Sequence, residues 1–305
     1  MTVLNLLAPI FMIIALGAML QRRGMMPAEL ISGVNRLLYW VGLPAAVFHA
    51  LAAAEATSER FGMLFGVMAA ATIVNGIWSW VEAPWLGVAR ANRGTFVQAS
   101  FRGNLSFVAL PLLLSVPGVP IGPALWAFAP MLIIHNGGTV LVLLASKEDR
   151  GGKMWGPVAK GFVTNPIIVA AILGAAVQAV GWQPPVAAMT TLQALARMAL
   201  PLALLCIGAT LMTVPVRGNR RLPAIASAHK VMVAPVLGYL FGRWVGLDDG
   251  AMLAALICLA SPTASISLTI VKEMGGDQAL AATAIVYSAV ASAAALGVVI
   301  ALFAV

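Results

Sequence analysis

The chain has 305 residues, of which 61% are hydrophobic and only 9% charged, with mean hydropathy +0.98. Soluble domains carry about 25% charged residues, so this composition excludes an ordinary soluble enzyme, a nucleic-acid-binding domain and a disordered chain. The net charge of +8 comes from 18 Lys and Arg that punctuate apolar runs without clustering, a membrane pattern that implies a lipid bilayer and no nucleic acid as partner.

A membrane-crossing helix needs about 20 mostly apolar residues. In chain order ten spans are predicted, at 3–20, 31–53, 61–83, 95–116, 121–145, 161–181, 186–213, 223–245, 250–271 and 279–304. Met1 to Asn5 holds no Lys or Arg, so the basic start of a signal peptide is lacking and the first span is read as mature. Cys206 and Cys258 lie inside apolar runs and are read as small core residues. The longest polar connector, 146–160, divides the chain into two five-span halves, 1–145 and 161–305.

Cytoplasmic loops collect Lys and Arg. With the N-terminus outside, the inside loops hold twelve of the 18 and the outside loops two, Arg60 and Arg243. The other four (Arg36, Arg102, Arg197, Lys230) fall within or at the ends of spans. Ten spans then put the C-terminus outside as well.

Sliding the chain by 157 residues superposes Pro9-Ile10 on Pro166-Ile167, Leu16-Gly17-Ala18 on Leu173-Gly174-Ala175, and Gln21 on Gln178. The same offset matches Leu43-Pro44 with Leu200-Pro201, Ala46 with Ala203 and Gly118 with Gly275. A repeat of five spans, an odd number, inserts its two copies with opposite topology. Inverted repeats of this kind are a plan of secondary transporters, whose substrate site lies near the midplane between the halves.

Span four carries Gln98, Ser100, Arg102, Asn104 and Ser106, too many polar groups for a lipid-facing helix. Gly103-Asn104 is a place to stop one helix and cap another. Span nine carries Ser261-Pro262-Thr263, read as an N-cap followed by proline at the first helical position. Asn104 and Ser261 are 157 residues apart, so both halves are expected to break at one depth. Each break frees backbone N–H groups in mid-membrane and starts a half-helix with partial positive charge. Two such ends facing one cavity would hold an anion, with Arg102 beside them. The alternative for each break is a simple kink packed against its neighbours. Pro44, Pro111 and Pro201 are read as kinks that can serve as hinges.

His229-Lys230 in span eight is a candidate for coupling or gating, with snorkelling of Lys230 to the surface as the alternative. Asn75 in span three either lines the cavity or bonds a neighbouring helix. His49 and His135-Asn136 also fall in spans, as hydrogen-bonded structure or proton carriers. Arg197 reads as an anchor or a helix contact. No span holds Asp or Glu near its centre, and no metal-ligand cluster, phosphate loop or catalytic triad is present, so no enzyme, cofactor or metal is expected.

Phe101-Arg102-Gly103-Asn104-Leu105-Ser106-Phe107-Val108-Ala109-Leu110-Pro111 resembles the fourth-helix signature of the auxin efflux carrier family. Val271-Lys272-Glu273-Met274-Gly275-Gly276-Asp277, after Ser261-Pro262, is similar to its ninth-helix ending, and Leu43-Pro44 and Lys230 to Pro235 fit its second and eighth helices. The chain departs from the pattern in placing Gly103 between Arg102 and Asn104 and Ala109 where glycine is common. The resemblance implies a bile-acid-symporter-like fold, with a scaffold of spans 1, 2, 6 and 7 and a mobile bundle of spans 3–5 and 8–10. It implies elevator movement, homodimers, and transport of small organic anions, auxin-like in plants and malonate- or malate-like in bacteria. The short central loop points to a bacterial-type member in the inner membrane. Asn104, Arg102, Leu105, Ser106, Ser261, Pro262, Thr263 and Asn75 are then the expected substrate-binding residues, with a small carboxylate as substrate and a proton as coupling ion. The rivals are a sodium-coupled bile-acid-type symporter and a membrane anion sensor that does not transport.

Overall fold

The computed structural model describes residues 3–53, 60–147, 164–213 and 220–303, so most of the expected connector 146–160 lies outside the described residues. Among the described residues the chain is all helix. In chain order these are α1 (Val3–Arg22), α2 (Ala28–Ala52), α3 (Arg60–Glu82), α4 (Arg90–Phe101), α5 (Leu105–Ser115) and α6 (Ile121–Ala145). The second half holds α7 (Pro166–Ala179), α8 (Val186–Thr213), α9 (Arg221–Val245), α10 (Asp249–Ala260), α11 (Ile266–Glu273) and α12 (Gln278–Phe303). Six of these (α2, α3, α6, α8, α9 and α12) are long and apolar enough to cross a membrane. The apolar part of α1, with α5, α7 and α10, is shorter.

The prolines explain the irregular turns. Proline has no N–H and pushes against the turn before it. In α2, α5 and α9 a π-turn ends at the residue before proline. Leu43 N–H donates to Leu38 O before Pro44, Leu110 to Leu105 before Pro111, and Ala234 to His229 before Pro235. In α8 the interruption falls at Met198, three residues before Pro201.

The helices pack in two groups. α1 lies along the second half of α8, and α7 along the second half of α2, which also meets the first half of α8. α3, α4, α6, α9, α10 and α12 pack on one another, and Ala251–Ala260 of α10 is buried on every side. Small residues allow the close contacts. A Cβ on Gly174 would stand 3.0 Å from Phe48 O, and one on Gly17 would strike Leu205 O. These two contacts correspond, since Gly17 and Gly174, and Phe48 and Leu205, are each 157 residues apart.

Four of the six left-handed glycines fall into the same register. Gly24 (φ 74°) and Gly181 (φ 65°) follow α1 and α7, and Gly118 (φ 84°) and Gly275 (φ 68°) follow α5 and α11, both pairs at 157. Gly87 and Gly246, both at φ 75°, follow α3 and α9 at a spacing of 159.

Candidate functional site: the crossing of two interrupted helices

Between α4 and α5 the chain is non-helical for three residues, Arg102-Gly103-Asn104; between α10 and α11 it is non-helical from Ser261 to Ser265. The two interruptions touch. Gly103 and Thr263 form an antiparallel bridge, in which Asn104 N–H donates to Pro262 O at 2.7 Å and Ala264 N–H to Arg102 O at 3.1 Å. Backbone groups released by each broken helix thus satisfy those of the other, which an apolar surrounding requires. Gly103 is needed for this approach. A Cβ there would lie 2.6 Å from Ser261 Oγ and 3.1 Å from Lys230 Cε.

Asn104 caps α5, its Oδ1 accepting from Phe107 N–H at 3.2 Å. Ser261 does not cap the half-helix that follows, contrary to the sequence expectation. Its ψ of 144° is the extended value imposed by the next proline. Its hydroxyl turns back to donate to Cys258 O at 2.7 Å, closing the end of α10. Pro262 likewise lies in the bridge, not at the first position of a helix, and α11 starts only at Ile266. Thr263 spends both donors inside the protein, its hydroxyl on Ala99 O and its N–H on Ser288 Oγ, each at 2.9 Å.

A cavity of about 380 Å³ opens at the crossing. Arg102, Asn104, Leu105 and Ser106 line it from one interruption, and Ala264, Ser265 and Ile266 from the other. The expected residues of span four therefore line it, whereas on span nine its lining is the three residues directly after Thr263; Pro262 and Thr263 line a smaller neighbouring cavity that shares Asn104 and Ser265 with it. α2 adds Asn35, Arg36, Tyr39 and Trp40, and α6 adds His135 and Asn136. These were not singled out from sequence as ligands. Arg36 stands near the start of a span, where a cation looks like an interfacial anchor. Arg102 is 4% exposed; its Nη2 donates to Asn136 Oδ1 at 2.7 Å, and its Nη1 has no partner among the described residues. No Asp or Glu lines the cavity among the described residues. The chemistry is that of an anion receptor: a guanidinium with a free donor and two helix N-termini.

Lys230 does not snorkel. It is 1% exposed, and its ammonium donates to Leu259 O at the C-terminal end of α10. A cation there complements the partial negative charge of that helix end. Asn75 is fully buried but does not line the cavity. Its Nδ2 donates to Ser100 O at 2.8 Å, and its Oδ1 faces His229 Nδ1 at 3.0 Å. His229 Nε2 lies 2.8 Å from Glu82 Oε1. Asn75, Ser79 and Glu82 follow one face of α3 and enclose the imidazole, since Ser79 Oγ is 3.3 Å from Nδ1.

A second, larger cavity of about 880 Å³ lies toward the other end of α2. It is lined by His49 of α2, by Pro111 and Ser115 of α5, and by Gln193, Arg197 and Pro201 of α8. Pro44, the third expected hinge, lines neither cavity.

A family model described as "Membrane transport protein" matches residues 2–148 and 150–300. A protein of Rhizobium meliloti (strain 1021) named "Putative malonate transporter" is 26% identical over 311 residues, covering 95% of this chain and 92% of its own length.

Proposed function

The chain belongs to the membrane transport protein family, the auxin efflux carrier family that its motifs resemble, and we propose that it is a secondary carrier of small organic anions, malonate among them, bound where spans four and nine cross. The observation that carries this reading is the cavity at the crossing, which presents Arg102, the capped start of α5 and the start of α11, and no carboxylate among the described residues. The name of the Rhizobium protein supports a dicarboxylate of malonate's size.

Ten spans in two inverted repeats are supported by the paired glycine turns and by the matched contacts of Gly17 with Leu205 and of Gly174 with Phe48. α1, α2, α7 and α8 form the scaffold; α3–α6 and α9–α12 move as the transport bundle in an elevator cycle. Both termini are outside, and the carrier is a homodimer in a bacterial inner membrane. The coupling proton sits between His229 and Glu82. The reading is supported by the 2.8 Å approach of Nε2 to Glu82 Oε1, with Nδ1 of the same ring 3.0 Å from Asn75 Oδ1.

The test is uptake of labelled malonate by liposomes containing only this protein, with and without an imposed proton gradient. Wild type should show gradient-driven uptake. Asn104→Ala should raise KM at least tenfold. Asn104→Asp, an equally good cap that adds a negative charge, should abolish uptake while the protein stays folded. Uptake that requires sodium would move the reading to a bile-acid-type symporter, and binding without flux would leave an anion sensor.

A further inference from the structure

We propose that the substrate is a dianion and that its second carboxylate is received by a scaffold arginine at each end of the molecule, Arg36 in one state and Arg197 in the other. This rests on the carrier reading above.

Two observations carry it. The first is the repetition of one helix face. The small cavity is lined by positions 36, 39 and 40 of α2, and the large one by positions 193, 196 and 197 of α8. Each member of the second set lies 157 residues after its counterpart, so the repeat presents the same three positions to cavities at opposite ends. α2 itself lines the small cavity at Arg36 and the large one at His49, thirteen residues on, or about 20 Å along the helix axis. The cation occupies the first position of the face in α2 and the last in α8, one helical turn apart.

The second observation is the charge count. Among the described lining residues of the small cavity, the charged side chains are Arg36 and Arg102. In the large cavity the one such side chain is Arg197, with His49 nearby on the wall. Neither cavity is lined by a described acid. Arg36 and Arg197 are both exposed on their cavity walls; a monoanion on Arg102 would leave Arg36 without a counter-charge among the described lining residues, whereas a dianion neutralises both. Arg102 belongs to the interrupted helices that carry the substrate, whereas Arg36 and Arg197 stay with the scaffold. A bundle that slides past the scaffold takes the first carboxylate with it and exchanges the partner of the second. Guanidinium suits this part because it binds a carboxylate through two parallel N–H donors.

The experiment measures KM at each face separately, in cells and in inside-out vesicles, for malonate and for its half-amide, which has the same shape with one charge fewer. Wild type should prefer malonate at least tenfold at both faces. Arg36→Gln should raise the malonate KM at least tenfold at one face and leave the other within twofold; Arg197→Gln should do the reverse. Half-amide KM should change less than threefold in either variant. Arg36→Lys and Arg197→Lys keep the charge and should restore most of the affinity, which separates charge recognition from misfolding. Equal affinity of wild type for malonate and half-amide would overturn the proposal without any variant, as would equal effects at both faces. Absence of wild-type transport of either compound would instead strike the carrier reading on which the proposal stands.

Discussion

Gly103 shows how much of the site depends on a missing side chain. It lies between Arg102 and Asn104, pairs with Thr263, and leaves no room for a methyl group beside Ser261 and Lys230. Gly103→Ala should therefore cost about 1–3 kcal/mol, the usual range for overpacking. It should lower the thermal midpoint of the purified protein and spread the two interruptions apart; an unchanged midpoint would show that the crossing is looser than the structure has it. Asn104 and Arg102 could be read from sequence, because a polar cluster in an apolar span has few explanations. Ser261 departs from its expected place as the cap of the second half-helix for a physical reason. Ser-Pro has the local form of a helix start, but pairing with the other interruption holds the segment extended for several more residues, and that pairing is tertiary. Arg36 was hidden differently, because one cation near a span end looks the same whether it faces lipid headgroups or a cavity.

The helices carry two devices at the scale of the element. Each π-turn sits immediately before a proline, so α2, α5 and α9 are irregular where their sequences remove a donor. The other device is the polar face of α3. Asn75, Ser79 and Glu82 meet His229 of α9 inside the bundle, away from both cavities. A proton held there would load the bundle without competing for the anion site. Glu82→Gln should leave malonate exchange between equal pools within about threefold of wild type and remove the stimulation by a proton gradient. Persistent stimulation would exclude this contact as the coupling site. The helix pattern was legible from hydropathy alone, with boundaries shifted by a few residues: span four, expected from 95, begins at Arg90. The α3–α9 contact was not legible, because residues 154 positions apart meet only through packing.

Over the whole molecule, one offset organises turns, contacts and cavities together. The repeat was visible in sequence through a few prolines and glycines; the structure adds the pairing of left-handed turns and the corresponding cavity faces. Inverted insertion requires equivalent positions to lie on opposite sides of the membrane. Met25 and Trp182, both well exposed beside the turns after α1 and α7, are such a pair at 157. Single cysteines at these positions, in a background with Cys206 and Cys258 replaced, should react with an impermeant maleimide from opposite faces. Reaction from the same face would mean that the halves are parallel.

The central claim is that the crossing of the two interruptions is the substrate site and opens to each face in turn. Ser106, half-buried on the cavity wall beside Asn104, reports on it directly. In that cysteine-free background, Ser106→Cys should be labelled by an impermeant reagent from both faces, in intact cells and in inside-out vesicles. Malonate should slow both reactions by the same saturable dependence. Labelling from one face alone during transport, or labelling indifferent to malonate, would contradict it.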